Sequence, residues 1–116
     1  MALDHYVPQV HLRKFYDPAK AGLIAFDKQT NKSAVRTSKQ VCRIDEGNTN
    51  EYLAEPRAIE EFLKPVENGY NGAVAALQRS KITREVVYAI GGFAAYIITC
   101  SPAAIRMHTA MLAGMV

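Results

Sequence analysis

At 116 residues, 49% of them hydrophobic and 22% charged, the chain has the composition of one ordinary globular domain and excludes a disordered or fibrous protein. The net charge of +3 comes entirely from the first half: residues 1–50 carry eight Lys and Arg against five Asp and Glu, and residues 51–116 carry six of each. So mild a surplus permits a polyanionic partner without demanding one.

The N-terminus, Met1-Ala2-Leu3-Asp4-His5, has no basic stretch followed by an apolar one, so a cytoplasmic location is expected. Val7-Pro8-Gln9 then opens a first short helix with Pro8 in its first turn. Pro8, His11, Leu12 and Phe15 share one face of it, and Asp17-Pro18 ends it in a turn. Strands follow at Gly22–Phe26 and Ser33–Ser38, with the polar residues 27–32 as the loop of a hairpin. A further extended piece is expected around Val41–Ile44, then a loop over residues 45–50.

The helical half is expected to start at Pro56. Ile59, Phe62, Leu63, Val66, Tyr70, Val74 and Leu77 recur at helical spacing, with Pro65 expected to kink or split the helix near Lys64. Gly69 and Gly72 weaken that helix or let a neighbour approach closely. Thr83 caps a second helix over 84–100, read as the central one, with Ile90, Phe93 and Ile97 buried. Ser101-Pro102 starts the last helix. Val86 to Ile105 lacks charge, which is the length of a membrane span, but Ser101-Pro102 breaks it; a buried core helix and no membrane are expected. Cys42 and Cys100 belong to no paired motif and read as reduced, buried thiols.

The fold class is thus α+β: a short N-terminal helix, a small antiparallel hairpin, then a bundle of about three helices. Residues 1–116 form a single domain, with a hairpin-containing half at 1–54 and a helical half at 55–116. The apolar ending Met111–Val116 marks either a docked last helix or a piece of a longer protein.

His5-Tyr6-Val7-Pro8-Gln9, followed by Leu12-Arg13-Lys14-Phe15, resembles the opening signature of the bacterial, uncharacterised domain-of-unknown-function 4238 family. The resemblance continues through Leu23–Lys28, the stretch Ser38-Lys39-Gln40-Val41, Tyr52 after an acidic loop, and a helix bearing Glu60 and Glu67. It implies an Arg before a late Ser/Thr-Pro turn, where this chain has Cys100, and a longer chain whose C-terminal half is missing here. It implies no particular activity.

His5, Gln9 and Arg13 are the candidate catalytic residues. A helix end at Pro8 would offer free N–H groups to a phosphate or carboxylate, with His5 as acid, base or ligand. The competing reading makes Tyr6, Leu12 and Phe15 core anchors and leaves His5 and Gln9 to bond neighbouring loops. His5 and His11 match no zinc spacing; no metal is assigned and no cofactor is specified, although His5 with Glu60 or Glu67 is a conceivable ion site. Lys28, Lys32, Arg36, Lys39 and Arg43, with no acid between them, are the candidate nucleic-acid contacts, with only Phe26 and Tyr52 near for base stacking. Glu60 and Glu67, seven apart, share a helix side. No phosphate-cradling glycine loop and no Gly-x-Ser-x-Gly is present.

Two functions are therefore expected in parallel. One is a phosphate- or nucleic-acid-handling, nuclease-like module; the other is a non-enzymatic helical interaction or oligomerisation domain that docks a missing half or a second copy through residues 102–116. Clustering of His5, Gln9, Arg13 and an acid in one pocket would favour the first, and a large apolar surface on 102–116 the second.

Overall fold

A computed structural model describes residues 2–115. Strand β1 (Leu3–His5) leads into helix α1 (Gln9–Leu12), prolonged by a 3-10 turn over Arg13–Phe15. Strands β2 (Leu23–Asp27), β3 (Lys32–Arg36) and β4 (Arg43–Asp45) follow, then helices α2 (Ala58–Gln78), α3 (Arg84–Cys100) and α4 (Pro102–Ala113). The class is α+β, as the sequence predicts, with a second two-stranded antiparallel ladder, β1–β4, beside the expected β2–β3 hairpin.

The core is made by α2 and α3, a pair joined by five residues and running antiparallel. Leu63 and Val66, near the start of α2, meet Tyr96 near the end of α3; Ala73, further along α2, meets Val86 and Ala89 at the start of α3. Each of the large members of this seam contributes roughly 1.5–3 kcal/mol by leaving water. Gly92 lets the two backbones come close, because a Cβ there would lie 2.8 Å from a methyl of the fully buried, χ1-stiff Val66. Gly72, by contrast, faces open space.

Caps behave as their residue types dictate. The Thr83 hydroxyl accepts from the N–H of Val86, and the Ser101 hydroxyl from that of Ala104, with Pro102 at the first helical position of α4.

Several expectations need correction. Pro8 is the residue before α1 and not its first helical residue, and α1 is a single turn. It therefore sums too few peptide dipoles to act as an anion site of its own. The second expected helix begins at Ala58, two residues after Pro56. It also runs unbroken through Pro65. Pro65 and Glu61, whose carbonyl loses its partner, both lie on the exposed side where water can bond it, while Leu63 and Val66 on the other side pin the helix to α3.

Nor is α3 central. Its inner side is buried at Val86, Ala89 and Tyr96, while Ile90, Phe93 and Ile97 are only partly covered, and Val87, Tyr88 and Ile98 are exposed on its outer side. Phe15 is likewise exposed, with its ring edge against His11. Cys42 and Cys100 are free and partly buried.

The β2–β3 hairpin pairs Leu23 with Arg36 and Asp27 with Lys32, close to the expected boundaries. Side-chain alternation puts Ile24, Phe26 and Val35 on one face, all exposed. The radius of gyration, 16.3 Å, exceeds the about 13 Å of a compact domain of this length. Open packing of this kind matches the exposed outer faces of the hairpin, α3 and α4.

Among the described residues no single helix is long and apolar enough to cross a membrane. The pair α3 and α4 has the length and composition together, but bends by 53° at the break between them.

Candidate functional site

The N-terminal signature is held in place by β1, an element the sequence does not announce. Leu3, Asp4 and His5 pair antiparallel with Asp45, Ile44 and Arg43 of β4. Asp4 then points inward and is almost fully buried. A carboxylate in that position requires a counter-charge. Arg57, at the start of α2, supplies it through a two-pronged contact, Nη1 to Oδ2 and Nη2 to Oδ1, both 2.7 Å. The backbone N–H of Asn48 also donates to Asp4 Oδ2 at 2.9 Å. These donors, Arg57 first, hold the Asp4 carboxyl below the usual carboxylate range even though burial opposes them.

Asn48 is buried as well and links three elements. Its amide donates to Glu60 on α2, and its carbonyl oxygen lies 3.0 Å from the Tyr96 hydroxyl on α3. The Tyr96 hydroxyl donates to the backbone carbonyl of His5. Burial, the larger effect, pushes the Tyr96 phenol up to about 12, so it stays a donor at every physiological pH. Gly47 precedes Asn48 where any Cβ would collide with Ile44 at 2.7 Å, which keeps this loop tight against β4.

On the other side of His5 stands Ser38, at the exit of the hairpin and nearly inaccessible. Its carbonyl accepts from His5 Nε2 at 2.9 Å, its hydroxyl donates to Gln9 Oε1 at 3.0 Å, and its N–H donates to the Tyr16 hydroxyl at 2.7 Å. A carbonyl can only accept, so the proton of the neutral His5 ring sits on Nε2 and Nδ1 is left with its lone pair. Gln9 Oε1 also accepts from Arg13 at 3.3 Å, so the Gln9 amide NH₂ is the end free to donate to a ligand.

Leu3, Asp4, His5, Gln9, Glu60, Leu63 and Glu67 together line a pocket of about 180 Å³. Glu67 is partly buried there; burial first, and the charge of Glu60 second, raise its carboxyl above the ordinary value, with Arg13 pulling the other way. The structure therefore brings His5 and Gln9 together with Glu60 and Glu67, and leaves Arg13 exposed at the rim. No group of three or more His, Cys, Asp or Glu positioned to hold a metal ion occurs among the described residues.

His11 is not part of this pocket. Its Nδ1 lies 2.5 Å from the Tyr70 hydroxyl, and its ring packs against Phe15, Tyr70 and Phe93. Burial there pushes the imidazole below its usual value, so it behaves as a core residue that docks α1 on α2 and α3.

The five basic residues are spread along the hairpin and its exit. Arg43 pairs directly with His5 across the β1–β4 ladder, so its side chain leaves on the same side. Lys39 follows Ser38. Lys32, paired with Asp27, lies about 14 Å further along β3 from Arg36, and Lys28 is in the hairpin turn beyond it. All five are exposed.

Asp4, Ser38, Arg57 and Tyr96 are the residues that sequence reasoning passed over. The stretch beginning at Ser38 was visible as part of the family pattern, and the structure gives that serine a task, the orientation of both His5 and Gln9. No curated protein and no solved structure matches the chain. A family described as "Protein of unknown function (DUF4238)" matches residues 4–113, nearly the whole chain, and the chain belongs to that family.

Proposed function

We propose that the His5 pocket is a general acid–base centre acting on phosphate esters of a polyanionic chain, a nuclease-like module. The observation that carries this reading is the convergence of the His5 ring, the Gln9 amide, Glu60 and Glu67 on one polar pocket. A base with a free lone pair, a carboxyl raised above its ordinary value by burial and a free amide donor are the parts that bond-breaking by proton transfer requires.

The pocket is smaller than the roughly 300–1,000 Å³ of typical small-molecule sites. It suits one linkage of a longer molecule whose remainder lies outside. Three acids line it; Asp4 is neutralised by Arg57, and the charges around Glu60 and Glu67 decide whether a phosphate is repelled. Arg57 lies 3.7 Å from Glu60, Arg13 lowers the charge cost at Glu67, and Arg43, paired with His5, adds a cation on the same side of the ladder.

The test incubates the protein with labelled single-stranded RNA and duplex DNA, with and without Mg²⁺ or Mn²⁺, beside His5→Ala. Cleavage that falls at least about 100-fold in His5→Ala is the expected result. A salt-sensitive shift that His5→Ala leaves intact would move the function to the cationic rim alone. Neither shift nor cleavage would end the reading.

A second reading, a helical interaction domain, is favoured by one specific observation. Met107, Met111, Leu112 and Met115 on and just after α4 are all more than 60% exposed. Contiguous apolar surface of this kind marks contact sites. Sedimentation velocity at rising concentration tests it: a dimer that Met111→Glu dissociates is expected, and a monomer throughout removes self-association.

A further inference from the structure

We propose that the chain attacked at this pocket is single-stranded RNA, cleaved by its own 2′-hydroxyl, an assignment that rests on the acid–base reading above. The first ground is the missing nucleophile. None of the seven residues lining the pocket carries a hydroxyl or a thiol. The hydroxyls of its partners are buried and engaged, that of Ser38 with Gln9 and that of Tyr96 with the His5 carbonyl. Among the acids, Asp4 is taken by Arg57 and Asn48, and Glu60 by Asn48. The attacking oxygen then comes from water or from the substrate. A hydroxyl already fixed beside phosphorus gains an effective molarity of about 10⁵–10⁸ M over a free reactant. That advantage is large enough to decide between the two.

The second ground is that the groups present match the protons that move. The 2′-hydroxyl gives its proton to His5 Nδ1, and its oxygen forms the new bond to phosphorus. The bond from phosphorus to the 5′-oxygen breaks, and that oxygen takes the proton of the Glu67 carboxyl. The products are a 2′,3′-cyclic phosphate and a free 5′-hydroxyl; water returns the proton from His5 to Glu67. The Gln9 NH₂ and the Arg13 guanidinium, joined at Gln9 Oε1, are the donors available to the non-bridging phosphate oxygens.

The third ground concerns the strand. In a stacked duplex the sugar pucker and backbone hold the 2′-oxygen out of line with the leaving 5′-oxygen, so a flexible single strand is the reactive form. Phe15, 65% exposed and two residues from Arg13 in the chain, is an aromatic side chain open to a base.

The experiment uses three otherwise identical DNA oligonucleotides that carry at one internal position uridine, deoxyuridine or 2′-O-methyluridine, each with chelator and with Mg²⁺. Cleavage of the uridine oligonucleotide alone is expected, with cyclic-phosphate and 5′-hydroxyl ends and no loss on chelation. Glu67→Gln, of the same shape, and His5→Ala are each expected to slow it at least about 100-fold. Equal cleavage of the deoxyuridine strand, or products with 5′-phosphate ends, would overturn the RNA assignment and leave the acid–base pocket standing. No cleavage of any strand by folded protein would remove both. Full activity in Glu67→Gln would overturn its role as the acid.

Discussion

Arg57→Ala is expected to destabilise the protein by about 2–3 kcal/mol at pH 7, read as the midpoint of urea unfolding. Removing one partner of a fully buried pair costs about 3–5 kcal/mol because a charge is left stranded. Here Asp4 is buried, but the Arg57 side chain is 38% exposed, so solvent screening reduces the figure. The pH dependence carries the diagnostic sign. Asp4 has a folded-state value below its unfolded one, so the stability it contributes is present above the unfolded value of 3.8 and lost as pH falls through the folded one. The wild type should therefore lose this stabilisation in acid, and the difference between wild type and Arg57→Ala should shrink towards pH 3. A difference that stays constant from pH 7 to pH 3 would show that the two side chains are not coupled.

Tyr96 has the other large expected effect, and two substitutions separate its roles. Tyr96→Ala empties a site in the α2–α3 seam, where the residue is only 2% exposed, and should cost about 3–5 kcal/mol. Tyr96→Phe keeps the ring and removes only the hydroxyl, leaving the His5 carbonyl and the Asn48 oxygen without that partner. Its cost should be about 1–3 kcal/mol. The same variant should disturb His5 more than the helices, visible as a shifted His5 ring resonance with little change in helical circular dichroism. An unmoved His5 resonance in a stably folded Tyr96→Phe would show that the hydroxyl does not position the signature.

The helices and the hairpin were legible because their signals are local. Thr83 and Ser101-Pro102 are caps that act within three residues, and the alternation of Leu63, Val66 and Tyr70 is set by one helix alone. Pro56 misled because it was read by its local preference alone, and Pro65 did not split α2, whose other side is held by packing on α3. Strand β1 was not legible, since three residues with a charged centre carry no strand pattern, and its partner is 40 positions away. The pocket was legible in part. His5, Gln9, Glu60 and Glu67 were singled out one by one, but their convergence depends on Ser38, Asn48 and Tyr96, and polar residues of that kind declare no partner in a sequence. The basic series runs along the hairpin and its exit, as its spacing in the chain implies, and not around the pocket.

The contacts that build the pocket join residues far apart in sequence, by 33 positions for Ser38 and His5, 53 for Arg57 and Asp4, and 91 for Tyr96 and His5. The α2–α3 pair, closed by a five-residue connection, needs no such long loops. Chain entropy orders the two events: the helical hairpin assembles first and offers Arg57, Glu60, Glu67 and Tyr96 as a ready surface, and the N-terminal strand docks last. The same ordering runs backwards on unfolding, so His5 and Gln9 belong to the segment that opens before the helices do, and amide exchange would find its fastest protected protons there.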